Sequence, residues 1–476
     1  MSNPAPREFR TSLALGLLCA GVALAILLQA RQPRAFGDGP LLVFNYGLGN
    51  HTHHLLYGPW LELLHGWFGD VREAAYWASA LPVAASTGLL AGVLHARGAA
   101  ALAALWAAAA VLASPAVLFF GTTIEVHGLQ LLGGTLGWLL LTASSSASAT
   151  RALGLGALGL LALGGTHPAH LPALVLFGSG RAWIERRGSG RMWVPQTLLI
   201  LGVLSFAGLL WSYLDHNRLE AEDTNSLAFG AHSFAAAWNW GLVDWGVLGA
   251  LGWLSALVLA RRGGADRERA LLALAWFAAM LSLPLAIHLD ERGGYLISMA
   301  PAFAVLSVRA AEGYAAPRQR LLAVAGAVLL ITQSLRTAED WRSFNTAPPP
   351  ATLETLRELE SHTSGQGVFL SASPGFEKLV AEWSTLFAPG YLHRAAGAPP
   401  EITSQLLPHA LDWLAACTRR GQRVYLVNEG PLEPELYRAA KPGLAEALGR
   451  LDERFSIAAL PGVTVGGLPL FELIPR

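Results

Sequence analysis

TSLALGLLCAGVALAILLQA, residues 11–30, is followed a few positions later by GDGPLLVFNYGLGNHTHHLLYGPW, residues 37–60. The first stretch carries no charge and is long enough to cross the hydrocarbon core of a bilayer, which takes roughly 20 apolar residues. The second changes character at once. It holds one acid, Asp38, between two glycines, then His51, His53 and His54, then an aromatic, amphipathic piece with Tyr57, Trp60, Leu61, Leu64, Trp67 and Phe68. An acid placed where a chain leaves a bilayer is wet, yet close to anything anchored in lipid. The other apolar segments are expected to assemble a site around this loop.

Composition extends the membrane reading to most of the chain. Of 476 residues, 53% are hydrophobic and only 14% charged, against about a quarter charged in soluble domains; the mean hydropathy is +0.41. Apolar runs of spanning length recur from Thr11 to Leu335. Net charge is zero, so no nucleic-acid partner is indicated. Cys19 lies in an apolar run and Cys417 in the tail, which disfavours a disulfide between them. Arg7 and Arg10 precede the first segment, and Leu28-Gln29-Ala30 lacks a small-x-small end. The segment therefore reads as a retained helix with a cytoplasmic amino terminus, not a cleaved leader.

Charge placement then predicts a topology. Helices are expected near 11–30, 75–95, 99–118, 127–143, 152–165, 168–180, 194–213, 241–260, 270–288, 294–311 and 321–335, about 11 crossings. Alternating them puts Arg97, Arg151, Arg181, Arg186, Arg187, Arg191, Arg261, Arg262, Arg267, Arg269, Arg309, Arg318 and Arg320 inside. Only Arg31, Arg34, Arg72, Arg218 and Arg292 fall outside, as the positive-inside rule requires. The pair 152–165 and 168–180 is short, which is tolerated where helices are packed in protein or line a cavity. The same alternation gathers Asp38, Glu125, Asp215, Glu220, Glu222, Asp223, Asp290 and Glu291 outside, with His51, His53, His54, His127, His232 and His288. His167 and His170 sit at the outer turn of the short pair. The loop 214–240 ends in aromatics, and Trp238, Trp240 and Trp245 read as an interfacial belt.

After Arg336 the chain becomes less apolar. Residues 336–350 read as a linker, Pro-rich from Ala347 to Pro350, and 351–476 as a small α/β domain outside the membrane. Its strands are expected at 368–370, 424–427, 455–460 and 470–474, with helices at 353–360, 401–418 and 433–448. The fold class is thus a polytopic α-helical membrane domain, 1–335, with a carboxy-terminal extracytoplasmic α/β domain, in the plasma (inner) membrane.

Each polar motif admits a functional and a plain structural reading. Asp38 suits a general base that orients or deprotonates a nucleophile; it also suits a turn aspartate bonding its own backbone. Thr122-x-x-Glu125 matches a capping box at a helix start, and Glu125 is a second candidate catalytic acid. Thr166-His167-Pro168-Ala169-His170 interrupts an apolar stretch, where imidazoles are costly unless partnered; a tight turn with satisfied histidines is the alternative. In His288-Leu289-Asp290-Glu291-Arg292-Gly293-Gly294-Tyr295, Arg292 can hold a phosphate bidentately, or pair with Glu291 in a solvated loop. Five histidines with Asp38 and Glu125 offer metal donors, but no HExxH or comparable spacing is present. No divalent metal or other cofactor is firmly implied.

The order of these motifs resembles the GT-C membrane glycosyltransferases, in particular the protein O-mannosyltransferase-like branch, over roughly residues 10–310. Gly37-Asp38 follows the first helix as the family's acid does. His51, or the frame His54-Leu55-Leu56-Tyr57, is similar to a His motif running into an aromatic segment. Glu125-Val126-His127-Gly128-Leu129-Gln130 is similar to a Glu-Val-Tyr-x-Leu-Asn motif, with His127 in place of tyrosine. Thr52-His53-His54 stands where the family has Pro-Pro-Gly. The resemblance implies transfer of a sugar from a polyprenyl-phosphate carrier, a membrane lipid, to a protein, lipid or glycan acceptor on the outer face. Asp38 would act on the acceptor hydroxyl and Glu125 would support it. Arg292, with His167 or His170, would neutralise the leaving phosphate. The implied substrate-binding set is His51, His54, Tyr57, His127, His167, His170, His288, Glu291 and Arg292. The competing expectation is a non-catalytic transporter or a scaffold presenting the outer domain. Transporters usually bind at the midplane between repeats, whereas here the polar residues gather at one face and no repeat is visible.

Overall fold

The computed structural model describes residues 6–32, 42, 54–143, 149–188, 193–217, 238–286 and 293–346, then 367–370, 415, 418–419, 421, 423–427, 454–465 and 468–476. The helices are α1 (Pro6–Gln29), α2 (Tyr57–Phe68), α3 (Val71–Ala96), α4 (Ala101–Leu112), α5 (Pro115–Thr122), α6 (His127–Leu141), α7 (Ala149–Thr166), α8 (Leu171–Gly188), α9 (Trp193–Asn217), α10 (Val247–Arg262), α11 (Gly264–Ala286), α12 (Ala300–Glu312) and α13 (Ala316–Thr346). Among the described residues, five helices are long and apolar enough to cross a membrane, or six spans with α4 and α5 counted together. Helices also occupy the other segments read as crossings.

The outer faces of α1 and α13 expose Leu17, Leu18 and Val22, and Leu321, Val324 and Ile331. Exposed aliphatic faces on both helices fit a lipid surround, not water. Inside the bundle α1 lies close along α3. A Cβ added at Gly16 would stand 2.9 Å from the Gly88 carbonyl oxygen, so the small residues allow backbones to touch. Farther in, Trp276 of α11 meets Trp138 of α6 and Phe177 of α8, each at 6.3 Å between ring centres.

Three predicted elements differ. The helix expected over 99–118 is broken into α4 and α5, bent by 65°. Pro115 cannot donate to the preceding turn, and Ser114 turns extended before it. The freed polar groups are collected from elsewhere: Ala116 N–H donates to the Asp244 carbonyl at 2.9 Å, and Gln333 of α13 donates to the Ala113 carbonyl. Gln333 also accepts from Val247 N–H at the start of α10. Gly246 precedes it at φ +57°, and a Cβ there would strike the Gln333 amide. Gln333→Leu should therefore strand a carbonyl and an N–H in an apolar setting, each at about 1–3 kcal/mol. The expected result is a clearly lowered melting temperature in detergent, read by intrinsic fluorescence; an unchanged melting curve would contradict this.

The second difference is Trp245, which is fully buried, with its ring centre 5.0 Å from that of Phe303. It is a core residue rather than part of an interfacial belt; Trp238 remains exposed. Hydropathy alone does not say which way an indole faces. The third is the run 294–311, which opens as a 3-10 turn over Gly293–Met299 before α12 begins. In addition, α13 continues to Thr346, into the segment read as a linker.

Of the arginines expected inside, Arg97, Arg181, Arg262, Arg269 and Arg309 share one end of the bundle. Arg97 donates to the Leu139 carbonyl at 2.8 Å, and Arg181 to those of Leu140 and Ala143, both at 2.9 Å. Two guanidiniums thus cap the free carbonyls at the end of α6, as helix C-termini favour. Arg262 caps α12 through the Ala310 carbonyl at 2.9 Å. Burial, and then the nearby Arg269 and Arg309, push the Arg97 guanidinium down to about 10.

In the carboxy-terminal part, strands β1 (Gly367–Leu370), β2 (Arg423–Val427), β3 (Phe455–Val465) and β4 (Leu468–Pro475) stand where the alternation predicted them. They form one sheet in the order β1-β2-β4-β3. β1 pairs parallel with β2, while β4 runs antiparallel to both its neighbours. The helices expected at 353–360 and 433–448, and all but residues 415 and 418 of the one expected at 401–418, lie outside the described residues.

Candidate active site

The end of the bundle away from the arginine caps is built on the exit of α1. Gln32 N–H donates to the Thr122 carbonyl at 2.9 Å, and its amide donates to Thr122 Oγ1 at 3.0 Å. Tyr76 of α3 donates its hydroxyl to the Gln32 carbonyl at 2.7 Å. Arg31 lies 3.7 Å from the centre of the Tyr76 ring and pairs with Glu73 at 2.6 Å. These contacts tie the point where the chain leaves α1 to the end of α5. Asp38 follows only a few positions later in the sequence.

Beyond Thr122 comes Glu125, which is 3% exposed. Ser79 of α3 brackets its backbone, accepting from Glu125 N–H at 3.0 Å and donating to the Glu125 carbonyl at 2.8 Å. The capping box expected for Thr122 and Glu125 does not form. Thr122 Oγ1 instead donates back to the Leu118 carbonyl at 2.8 Å, and α6 starts later, at His127, with Val126 before it. Glu125 Oε2 accepts from Val126 N–H at 3.2 Å. The carboxylate is thus buried in the break between two helices, bonded to the backbone N–H just before α6 begins.

Around this break the structure gathers residues from four segments. His54 and His167 have ring centres 4.7 Å apart, and His127 and His167 5.2 Å. Tyr295 stands 5.5 Å from both His127 and His167, and Phe120 is 4.4 Å from His127. The joint between α7 and α8 is strapped to the loop before α2, because Leu56 N–H donates to the Gly165 carbonyl at 2.9 Å. That strap is what carries His54 against His167. On α2, which lies outside the apolar spans, Tyr57, Leu61 and Leu64 face inward. Burial, then the negative charge of Glu125, push the Tyr57 phenol up, so it stays a proton donor beside that carboxylate. Among the described residues its buried hydroxyl has no hydrogen-bond partner.

The histidines differ in their jobs. His167 Nδ1 accepts from Ala169 N–H at 3.0 Å, holding the 3-10 turn Pro168–His170. His170 is fully buried, and its Nδ1 lies 2.9 Å from the Leu163 carbonyl, to which it donates. Its ring closes the end of α7 and stands outside the ring cluster, so of the two joint histidines His167 is the one the structure brings to the site.

His54, Tyr57, Glu125, His127 and His167 therefore lie together at this break. Asp38, His51, His288, Glu291 and Arg292 lie outside the described residues. The chain nevertheless enters the cluster through Gly293-Gly294, which follow Arg292 directly; a Cβ on Gly294 would stand 2.6 Å from His127 Nε2. Tyr295 and Gln130 lie in motifs singled out from the sequence but were given no role there, and Ser79 has nothing in the sequence to set it apart from other helix residues. Among the described residues no group of three His, Cys, Asp or Glu side chains is arranged to hold a metal ion.

No family model matches the chain, and no curated protein matches it. Among solved structures, ArnT from Cupriavidus metallidurans in the apo state is similar with a TM-score of 0.59 at 15% identity, over 96% of this chain and 97% of that one. The same protein bound to undecaprenyl phosphate is similar with a TM-score of 0.57 at 13% identity, again over 96% and 97%. At these identities the likeness shows the fold alone: a polytopic helical membrane protein built like ArnT. Coverage of 96% extends past the last helix into the carboxy-terminal segment.

Proposed function

We propose that this chain is a membrane glycosyltransferase that moves a sugar from a polyprenyl-phosphate carrier to an acceptor at the outer face of the membrane. The observation that carries this is the near full-length likeness to ArnT, one of whose structures holds undecaprenyl phosphate; a buried acid and a histidine cluster at the end of the bundle away from the arginine caps support it. The amino terminus and the arginine-capped end face the cytoplasm. The domain 351–476 lies on the opposite side, and the membrane is the plasma (inner) membrane. The motifs favour the protein O-mannosyltransferase-like branch; the fold likeness supports the shared donor class.

The chemistry follows from charge. The bond between the sugar's anomeric carbon and the phosphate oxygen breaks, and a bond from that carbon to the acceptor oxygen forms. The acceptor proton passes to Asp38, and the phosphate gains one negative charge as it leaves. Arg292 and His167 stabilise that charge, and Glu125 with Tyr57 holds the sugar or acceptor. Reach supports the assembly. Asp38 lies six residues beyond Gln32, within about 20 Å of an anchor on Thr122. Arg292 lies two residues from Gly294, within about 7 Å of an anchor on His127.

Mass spectrometry of lipids extracted from the purified protein tests the donor class. The expected result is a co-purifying polyprenyl phosphate or its glycosylated form, depleted in an Arg292→Ala variant. Extracts without such lipid, combined with solute flux in proteoliposomes, would favour a transporter instead.

A further inference from the structure

Gln130 lies one turn along α6 from His127 and is fully buried. Its amide nitrogen donates to the Tyr295 carbonyl at 2.8 Å, and its Oε1 lies 2.7 Å from His127 Nδ1. The Tyr295 carbonyl can only accept, so the amide nitrogen faces it and the oxygen must face the histidine. An amide oxygen can only accept as well, so the proton of this bond sits on His127 Nδ1. This holds whether the ring is neutral or charged. Any proton that comes and goes on His127 therefore does so at Nε2, the atom that a Cβ on Gly294, in the turn that follows Arg292, would meet first.

We propose that Gln130 is a positioning residue that fixes the proton on His127 Nδ1 and so makes Nε2 the working nitrogen of the site. Its anchor is a backbone carbonyl of the Gly293–Met299 turn, so tautomer and turn position are set together. An imidazole free to carry its neutral proton on either nitrogen would spend part of its time unable to accept at Nε2. The role in transfer rests on the glycosyltransferase reading above; the proton placement does not.

The test uses the full-length protein in lipid nanodiscs with 15N-labelled histidine, His127→Asn identifying the signal. Expected in the wild type is a protonated Nδ1 throughout, with only Nε2 titrating. Gln130→Met keeps the shape but removes both hydrogen bonds. It should yield mixed tautomers and lower transfer from a polyprenyl-phosphate sugar by about ten- to a hundred-fold, in kcat more than KM. Gln130→Glu keeps an acceptor facing Nδ1 and should retain the wild-type signature; this variant and the wild-type spectrum decide the matter even if Gln130→Met does not fold. A neutral His127 protonated on Nε2 in the wild type would overturn the proposal. So would a Gln130→Met protein with mixed tautomers and unchanged transfer. The expected spectrum in a wild type that transfers no sugar would overturn the enzyme reading and leave the proton placement standing.

Discussion

Replacing Glu125 by glutamine is expected to lower sugar transfer by about 10²- to 10³-fold, the loss typical when a preorganised charge is removed from a buried site. The substitution is nearly isosteric. An amide oxygen still accepts from Val126 N–H, and the Ser79 bracket involves only the backbone of residue 125. Folding and membrane insertion should therefore be unchanged, with melting temperature as the control. What disappears is the negative charge felt by Tyr57. Initial rates for purified Glu125→Gln against wild type measure the effect. Wild-type rates in the variant would remove Glu125 from the site and leave its burial without a functional account.

Asp38→Asn is expected to be the more damaging change, abolishing transfer to within assay background, at least about 10³-fold. An asparagine can still serve the turn expected from the sequence at Gly37-Asp38-Gly39 by bonding the backbone, but it cannot take a proton. The two readings of Asp38 thus separate cleanly: a turn residue tolerates the amide, a base does not. Co-purification of the lipid carrier should survive the substitution, because the phosphate is assigned to Arg292 and His167. Loss of lipid together with activity would point to a collapsed site instead.

Much of this architecture was legible in the sequence, for reasons that also mark where legibility stops. Spans were visible because bilayer thickness sets a length that hydropathy reports directly. Strands of the tail were visible because short β-branched and aromatic runs stood between turn residues, down to Val424–Val427 within β2. The arginines pointed to one end of the bundle because they cluster between the apolar runs, and Arg97, Arg181, Arg262 and Arg309 do share one end. Local patterns failed where a distant residue competed for the same group. Thr122 looked like half of a capping box, but its hydroxyl bonds back to Leu118 and takes a bond from Gln32. Trp245 looked interfacial because it closes an aromatic run with Trp238 and Trp240, yet Phe303, far along the chain, buries it. His167 and His170 were indistinguishable by spacing. Only the fold shows that one joins His54 and His127 while the other closes a helix end.

The most direct measurement is an experimental structure of the full-length protein in nanodiscs containing undecaprenyl phosphate. The account predicts the phosphate beside Arg292 and His167, with the Asp38 and Glu125 carboxylates facing the same space from the far side. Phosphate bound elsewhere, or an Asp38 side chain turned to bulk solvent away from Glu125, would contradict it.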